Sequence, residues 1–252
     1  MFRQKTLVLF VALAFIAAFA GSVFAVNVPL GAQTIDYIQS QTGDTGLYPP
    51  ATVNAEAGNL TQLWIHGVSQ TKSWQGFYGN VSGTIILENS VGYRFYDWAA
   101  ANPQGEVYAS VNNSITWTTI ACAPTLTDSA FLYQWQDFYG INYTDYDSIN
   151  TTYNMTNHPV FDTGYTQLSG CPTTYTYVNN ASQFADFPAV LLTSDTQSTL
   201  IFTSILENKT RGARSYITGY DGNQYDFQLL VSENGQLGQH GVTPYYFWVE
   251  LQ

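Results

Sequence analysis

Two cysteines, eight Asn-X-Ser/Thr triplets and a scatter of carboxylates are the residues of this chain equipped for covalent, coordinating or acid–base chemistry. Cys122 and Cys171 are the only cysteines. Two in an exported chain point to one disulfide, closing a loop of about 50 residues; a pair of buried free thiols is the alternative. Two thiols and three scattered histidines (His66, His158 and His240) do not make a metal-ligand set. The acceptor triplets begin at Asn59, Asn80, Asn112, Asn142, Asn150, Asn154, Asn180 and Asn208. Composition alone gives about three such triplets in this length, so a coat of N-linked glycans is expected. Asp145 and Asp147, with Asn142 and Asn150, form an oxygen-rich stretch that could hold calcium, although it lacks EF-hand spacing. No other cofactor or metal is expected.

The chain contains no Gly-x-Ser-x-Gly, His-Glu-x-x-His, phosphate loop or dinucleotide fingerprint, so no catalytic residue and no enzymatic activity is expected. Paired carboxylates of the glycosidase type are brought together in space and not in sequence, which keeps a secreted hydrolase as a distant third reading. Trp74, Phe77 and Tyr78 stand in a glycine-bracketed stretch expected to be a loop, and are candidate ligand contacts, because aromatic faces pack on the apolar faces of sugar rings. The simpler reading of the six tryptophans is that they anchor a core.

The compartment follows from the first residues. Arg3 and Lys5 precede an unbroken apolar run, Leu7 to Ala20, and Val23 and Ala25 stand where a signal peptidase reads. The expected leader is 1–25, with a mature chain from Val26. The run is shorter than the ~20 residues a membrane-spanning helix needs. A retained anchor, or a pilin-type leader cut ahead of the run, are the other readings; no Lys-Gly or Arg-Gly precedes the run. The leader holds two of the seven basic residues and none of the 18 acidic ones, so five basic residues remain against 18 acidic, a net charge of −13. Such a surface cannot neutralise phosphates, which excludes nucleic acid and anionic lipid as expected partners. After leader removal no membrane insertion is expected, and the protein is placed outside the cell, at its surface.

The elements that must position these residues read as strands. High Tyr, Thr and Asn with few Lys suits sheets. Segments at 60–68, 81–87, 93–98, 106–111 and 114–120 are short, β-branched and aromatic, and are separated by turn residues. After the cysteines, strands are expected at 190–192, 199–206, 214–218, 225–231 and 245–251, with hairpin turns at Asp221-Gly222 and Asn234-Gly235. Between the cysteines, Thr125-Leu-Thr-Asp128 has the form of a capping box. Phe131, Leu132, Trp135, Phe138 and Tyr139 then recur at helical spacing, which predicts one short helix over about 127–139. Residues 140–170 read as a decorated surface excursion, and a small helical turn is expected around 182–187. The expected fold is all-β, a mainly antiparallel β-sandwich of immunoglobulin-like or jelly-roll-like form. One short helix lies in a disulfide-closed insertion over 123–170 of a single domain at 59–252. Residues 26–58 read as an N-terminal arm and candidate donor strand.

Trp64-Ile-His-Gly-Val-Ser-Gln-Thr-Lys-Ser-Trp-Gln-Gly-Phe-Tyr-Gly-Asn-Val-Ser-Gly83, continued by Tyr93-Arg-Phe-Tyr-Asp-Trp98 and Gly105-Glu-Val-Tyr-Ala-Ser110, resembles a module of uncharacterised secreted archaeal surface proteins. Tyr220-Asp-Gly-Asn-Gln-Tyr-Asp-Phe-Gln-Leu-Leu-Val231 with Tyr246-Phe-Trp-Val-Glu-Leu251 resembles the closing strands of the same group. The resemblance implies an exported β domain on an archaeal cell and carries over no catalytic residue. The leading expectation is an exported structural subunit of a cell-surface layer or extracellular filament, a homo-polymer assembled through β-strand contacts. The second is a surface adhesin or carbohydrate-binding module.

Overall fold

The computed structural model describes residues 28–41, 50–99, 104–124, 130–182, 186–194, 198–207, 217–233 and 242–252. The leader, the 125–128 capping box, Asn208, the strand expected at 214–218 except its last two residues, Asn234-Gly235, His240 and residues 183–185 of the turn expected at 182–187 lie outside the described residues.

The described strands, in chain order, are β1 (Leu30–Gly31), β2 (Trp74–Gly79), β3 (Thr84–Glu88), β4 (Arg94–Ala99), β5 (Gly105–Ser110), β6 (Ala121–Cys122), β7 (Phe161–Thr163), β8 (Thr166–Leu168), β9 (Thr173–Tyr175), β10 (Pro188–Ser194), β11 (Thr199–Ile205), β12 (Phe227–Ser232) and β13 (Tyr246–Leu251). Helices α1 (Ala130–Phe138) and α2 (Ile149–Thr152) lie between β6 and β7. The fold is all-β and every strand pairing is antiparallel. One large sheet runs β1-β13-β5-β11-β10-β6, with β9 also on β10.

The middle strands of this sheet carry no polar-out alternation: every residue of β5, β10 and β11 is buried. Such a strand must be covered on both faces. On one face Val107, Ala109, Leu191, Leu200 and Phe202 meet α1 through Phe131, Leu132, Trp135 and Tyr139. The same face meets the β2–β12 ribbon through Leu229, Val231, Trp74 and Phe77. On the other face Tyr108, Val190, Leu192, Ile201 and Trp248 meet Ile120, Phe161, Leu168 and Cys171. The large sheet is therefore the central layer of three. Gly105 opens β5 at φ +125°, and a β-carbon there would overlap the Glu250 carbonyl, so only glycine lets β5 and β13 close at this end.

Several expectations are corrected. The segment 60–68, expected as a strand, pairs with no described strand and is exposed throughout. Trp74 to Gly79, expected as a loop, is strand β2, held by six residue pairs with β12. Residues 114–120 contain a single 3-10 turn at Trp117–Thr119 in place of a strand. The stretch 140–170 is not a surface excursion. It carries α2 and the β7–β8 hairpin, and buries Ile141, Ile149, Tyr153, Phe161 and Leu168 in the two covering layers. The helix expected at 127–139 is present as α1. Of the arm, Leu30 and Gly31 pair with Val249 and Trp248 of the same chain. Among the described residues no helix is long and apolar enough to cross a membrane.

Candidate functional site

Register places two glutamates face to face. β13 pairs with β5 so that Glu250 lies directly opposite Glu106, on the sheet face carrying Tyr108 and Trp248. The residues are 2% and 3% exposed. Tyr108 stands between them: its hydroxyl donates to Glu250 Oε2 at 3.0 Å, with Thr163 Oγ1 at 3.1 Å and Glu106 Oε2 at 3.4 Å. The tip of the β7–β8 hairpin closes over the pair, where the Gly164 N–H donates to both oxygens of Glu250, at 3.0 and 3.2 Å. Gln252 Nε2 donates to Glu106 Oε2 at 3.5 Å.

Electrostatics divides the roles. Burial, then the charge of Glu250, pushes the Glu106 carboxyl up to about 9, so at neutral pH it is an uncharged acid. Glu250 is also raised by burial, but the Gly164 N–H and Tyr108 hydroxyl oppose the shift and favour its ionised form. Asp162 on β7 adds a further negative field to both. Tyr108, buried beside two carboxylates, is held protonated. The two facing carboxyls are thereby set apart, Glu106 held as the acid and Glu250 helped towards its anion, with the Tyr108 hydroxyl between them. Both groups are buried beneath the β7–β8 tip, on the β5–β13 seam. Sequence reading placed Glu250 only within a strand at 245–251. Its partner belongs to a strand far upstream, and pairing register is what joins them.

The predicted ligand contacts are split by the fold. Trp74 packs inward on Tyr153 and Phe202, with ring centroids at 6.0 and 6.4 Å, and donates from Nε1 to the Asp147 carbonyl at 2.6 Å. Phe77 packs edge-on against Phe247. These two are core anchors. Tyr78 instead joins two tyrosines that sequence reading did not single out, with its ring 4.9 Å from Tyr220 and 4.8 Å from Tyr225.

Cys122 and Cys171 are joined as expected, with a Cα–Cα distance of 4.8 Å. The Cys171 N–H donates to His158 Nε2 at 2.9 Å, which gives that histidine a structural role. Among the acceptors, Asn59, Asn80, Asn142, Asn154 and Asn180 are exposed, while Asn112 and Asn150 are half-buried. Asn112 Nδ2 donates to Thr199 Oγ1 at 2.9 Å. The oxygen-rich stretch is engaged in loop bonds: Asp145 Oδ2 accepts the Asn142 N–H at 3.1 Å, Asn142 Oδ1 accepts the Thr144 N–H at 3.1 Å, and Asp147 Oδ2 accepts the Thr71 hydroxyl at 2.5 Å. No group of three or more His, Cys, Asp or Glu side chains suited to a metal ion occurs among the described residues.

The outer surface carries the most unusual feature. From Leu60 to Val68 the chain exposes Leu60, Leu63, Trp64, Ile65 and Val68, with Trp64 82% and Ile65 86% exposed. No backbone–backbone hydrogen bond joins residues 60–72 to another described residue. The β3–β4 hairpin also stands off the body, with no described strand beside either of its edges. Leu87, Tyr93, Phe95, Tyr96 and Trp98 are exposed on it. Its base is rooted where the Val81 N–H donates to Asp226 Oδ2 at 2.9 Å. Compared with known protein families, curated proteins and solved structures, the chain matches none.

Proposed function

We propose that the protein is an exported structural subunit of a cell-surface layer or extracellular filament, in which copies join through β-strand contacts. The observation that carries this reading is the unpaired, apolar, strand-patterned segment 60–68, together with a hairpin, β3–β4, that has no described strand beside either edge. An apolar edge strand left bare is a template for pairing with another chain. Strand addition satisfies main-chain groups and seats alternate side chains on the acceptor hairpin. A donor and an acceptor on different surfaces of one chain make a head-to-tail contact, which propagates into an open polymer. A formed disulfide suits an oxidising, extracellular compartment. The arm at 26–58 is the weaker donor, because its paired residues already lie on β13 of their own chain.

The test is electron microscopy and sedimentation of the protein carrying Trp64→Glu with Ile65→Glu, or Phe95→Lys with Trp98→Lys. All four residues are exposed, so the domain folds unchanged. Assembly of the unsubstituted protein is expected to be reduced at least tenfold by either pair. Undiminished polymers in both variants, or an unsubstituted protein that stays monomeric at high concentration, would remove the reading. The second reading, a surface adhesin, loses Trp74 and Phe77 as contacts but keeps Tyr78.

A further inference from the structure

The outer tyrosine cluster adjoins one of the acceptor asparagines. Val178 and Ala181 exchange backbone hydrogen bonds of 2.8 and 2.9 Å across a two-residue turn. Asn179 and Asn180 at its tip have φ of 48° and 59°. Asparagine is among the residues that enter this left-handed region most readily, and two in succession make the hairpin turn. The tip is docked: the Asn179 N–H donates to the Gly219 carbonyl and the Asn180 N–H to the Tyr220 carbonyl, each at 2.8 Å. The backbone of Asn180 is thus fixed on the turn that carries Tyr220, while Asn180, Ala181 and Ser182 of the acceptor triplet are exposed.

That turn is itself ordered. Asp221 Oδ1 accepts the Asn223 N–H at 2.9 Å; Asp221 Oδ2 accepts from Asn223 Nδ2 at 2.8 Å and from the Tyr225 hydroxyl at 3.0 Å. A β-carbon at Gly219 would run into the Tyr225 ring, so that ring lies against the backbone. Tyr220 and Tyr225 stand nearly parallel, 15° apart with centroids at 6.4 Å, and Tyr78 meets both edge-on. All three rings are half-exposed, and Asp221 and Asn223 are exposed at their border. Fixed aromatic faces ringed by carboxylate and amide groups match a pyranose, whose C–H face is apolar and whose rim is hydroxylated.

We propose that Asn180 carries an N-linked glycan whose first sugar rings pack on Tyr220 and Tyr225, with Asp221 and Asn223 receiving their hydroxyl groups. A sugar tethered at Asn180 meets the rings at a high effective concentration, so a stacking contact too weak to capture free sugar suffices. The inference rests on export but not on assembly.

The protein is to be secreted from a host that attaches N-linked sugars, then studied by peptide mass spectrometry and proton NMR. Asn180 is expected to be modified, and ring protons of its sugar shifted upfield by the aromatic faces. Tyr220→Ser is expected to abolish that shift at unchanged occupancy, whereas Tyr220→Phe, which keeps the ring, preserves it. Asn112→Gln leaves it in place. An unmodified Asn180, or a shift indifferent to Tyr220→Ser, overturns the proposal. So does binding of free diacetylchitobiose by the Asn180→Gln protein, which assigns the platform to an external glycan. None of these readouts depends on whether the protein polymerises.

Discussion

Replacing Glu106 by glutamine is expected to stabilise the protein by on the order of 5 kcal/mol at pH 8 and to leave it nearly unchanged at pH 4. The native state holds a proton on Glu106 up to about pH 9, because the buried side chain faces Glu250 across the β5–β13 seam. In the unfolded chain the same carboxyl ionises near its ordinary value of 4.5. Between these two values the native state binds one proton more than the unfolded state. Stability contributed at the seam is therefore fully present below the lower value and declines as pH rises, by about 1.4 kcal/mol per pH unit for one proton. Glutamine keeps the shape and the hydrogen-bonding edge towards Tyr108 and has no proton to lose, so the slope flattens. Urea denaturation at pH 5 and pH 8 measures this directly. A stability that rises over that interval, or a variant with the same slope as the unsubstituted protein, contradicts a proton held on Glu106. Glu250→Gln is expected to flatten the slope less, since Glu250 is the member favoured in its ionised form by the Gly164 N–H.

The acid pair also marks where sequence reading reached its limit. The strand at 245–251 was legible, because a run of aromatic and β-branched residues has few other solutions. What alternation cannot supply is the partner strand, and a shift of one residue would have turned Glu250 away from Glu106. The errors elsewhere have the same origin. Segment 60–68 has better strand composition than Trp74–Gly79, yet the second is the strand. Gly76 and Gly79 weaken its local preference, but pairing with Phe227–Ser232 supplies the tertiary contacts that decide the matter. Segment 60–68 has no such partner within the described chain. In 140–170 Ile149 and Tyr153 sit on a single helical turn and Phe161 and Leu168 pair across a hairpin of three-residue strands, elements too short to show a period among their polar neighbours. The tyrosine cluster was half legible: Tyr78 was visible as a candidate, while Tyr220 and Tyr225 enter through a different turn.

Breaking the disulfide is the other change with a large expected effect. Replacing both Cys122 and Cys171 by serine is expected to cost about 4 kcal/mol, since the residues are 49 apart and their link restricts a long loop of the unfolded chain. The folded state loses contacts as well. Cys171 is fully buried against Ile120 and Phe161, and Cys122 lies in β6, which holds to β10 through two residue pairs. Described elements between the cysteines cover the central sheet on both faces: α1 lies on Phe202 from one side, and the β7–β8 hairpin closes the acid pair from the other. Untying the base of that segment therefore loosens both outer layers at once. Thermal denaturation with and without reductant is the measurement, and reduction should reproduce the double variant. The two layers can be followed separately: amide hydrogen exchange within Ala130–Phe138 reports α1, and the pH slope reports the seam through Glu106. A cooperative loss of both signals at lower temperature is the expected result. If the double variant stays within about 1 kcal/mol of the parent, neither loop entropy nor the tied base holds the layers, and packing on Phe202 and Tyr108 alone must suffice.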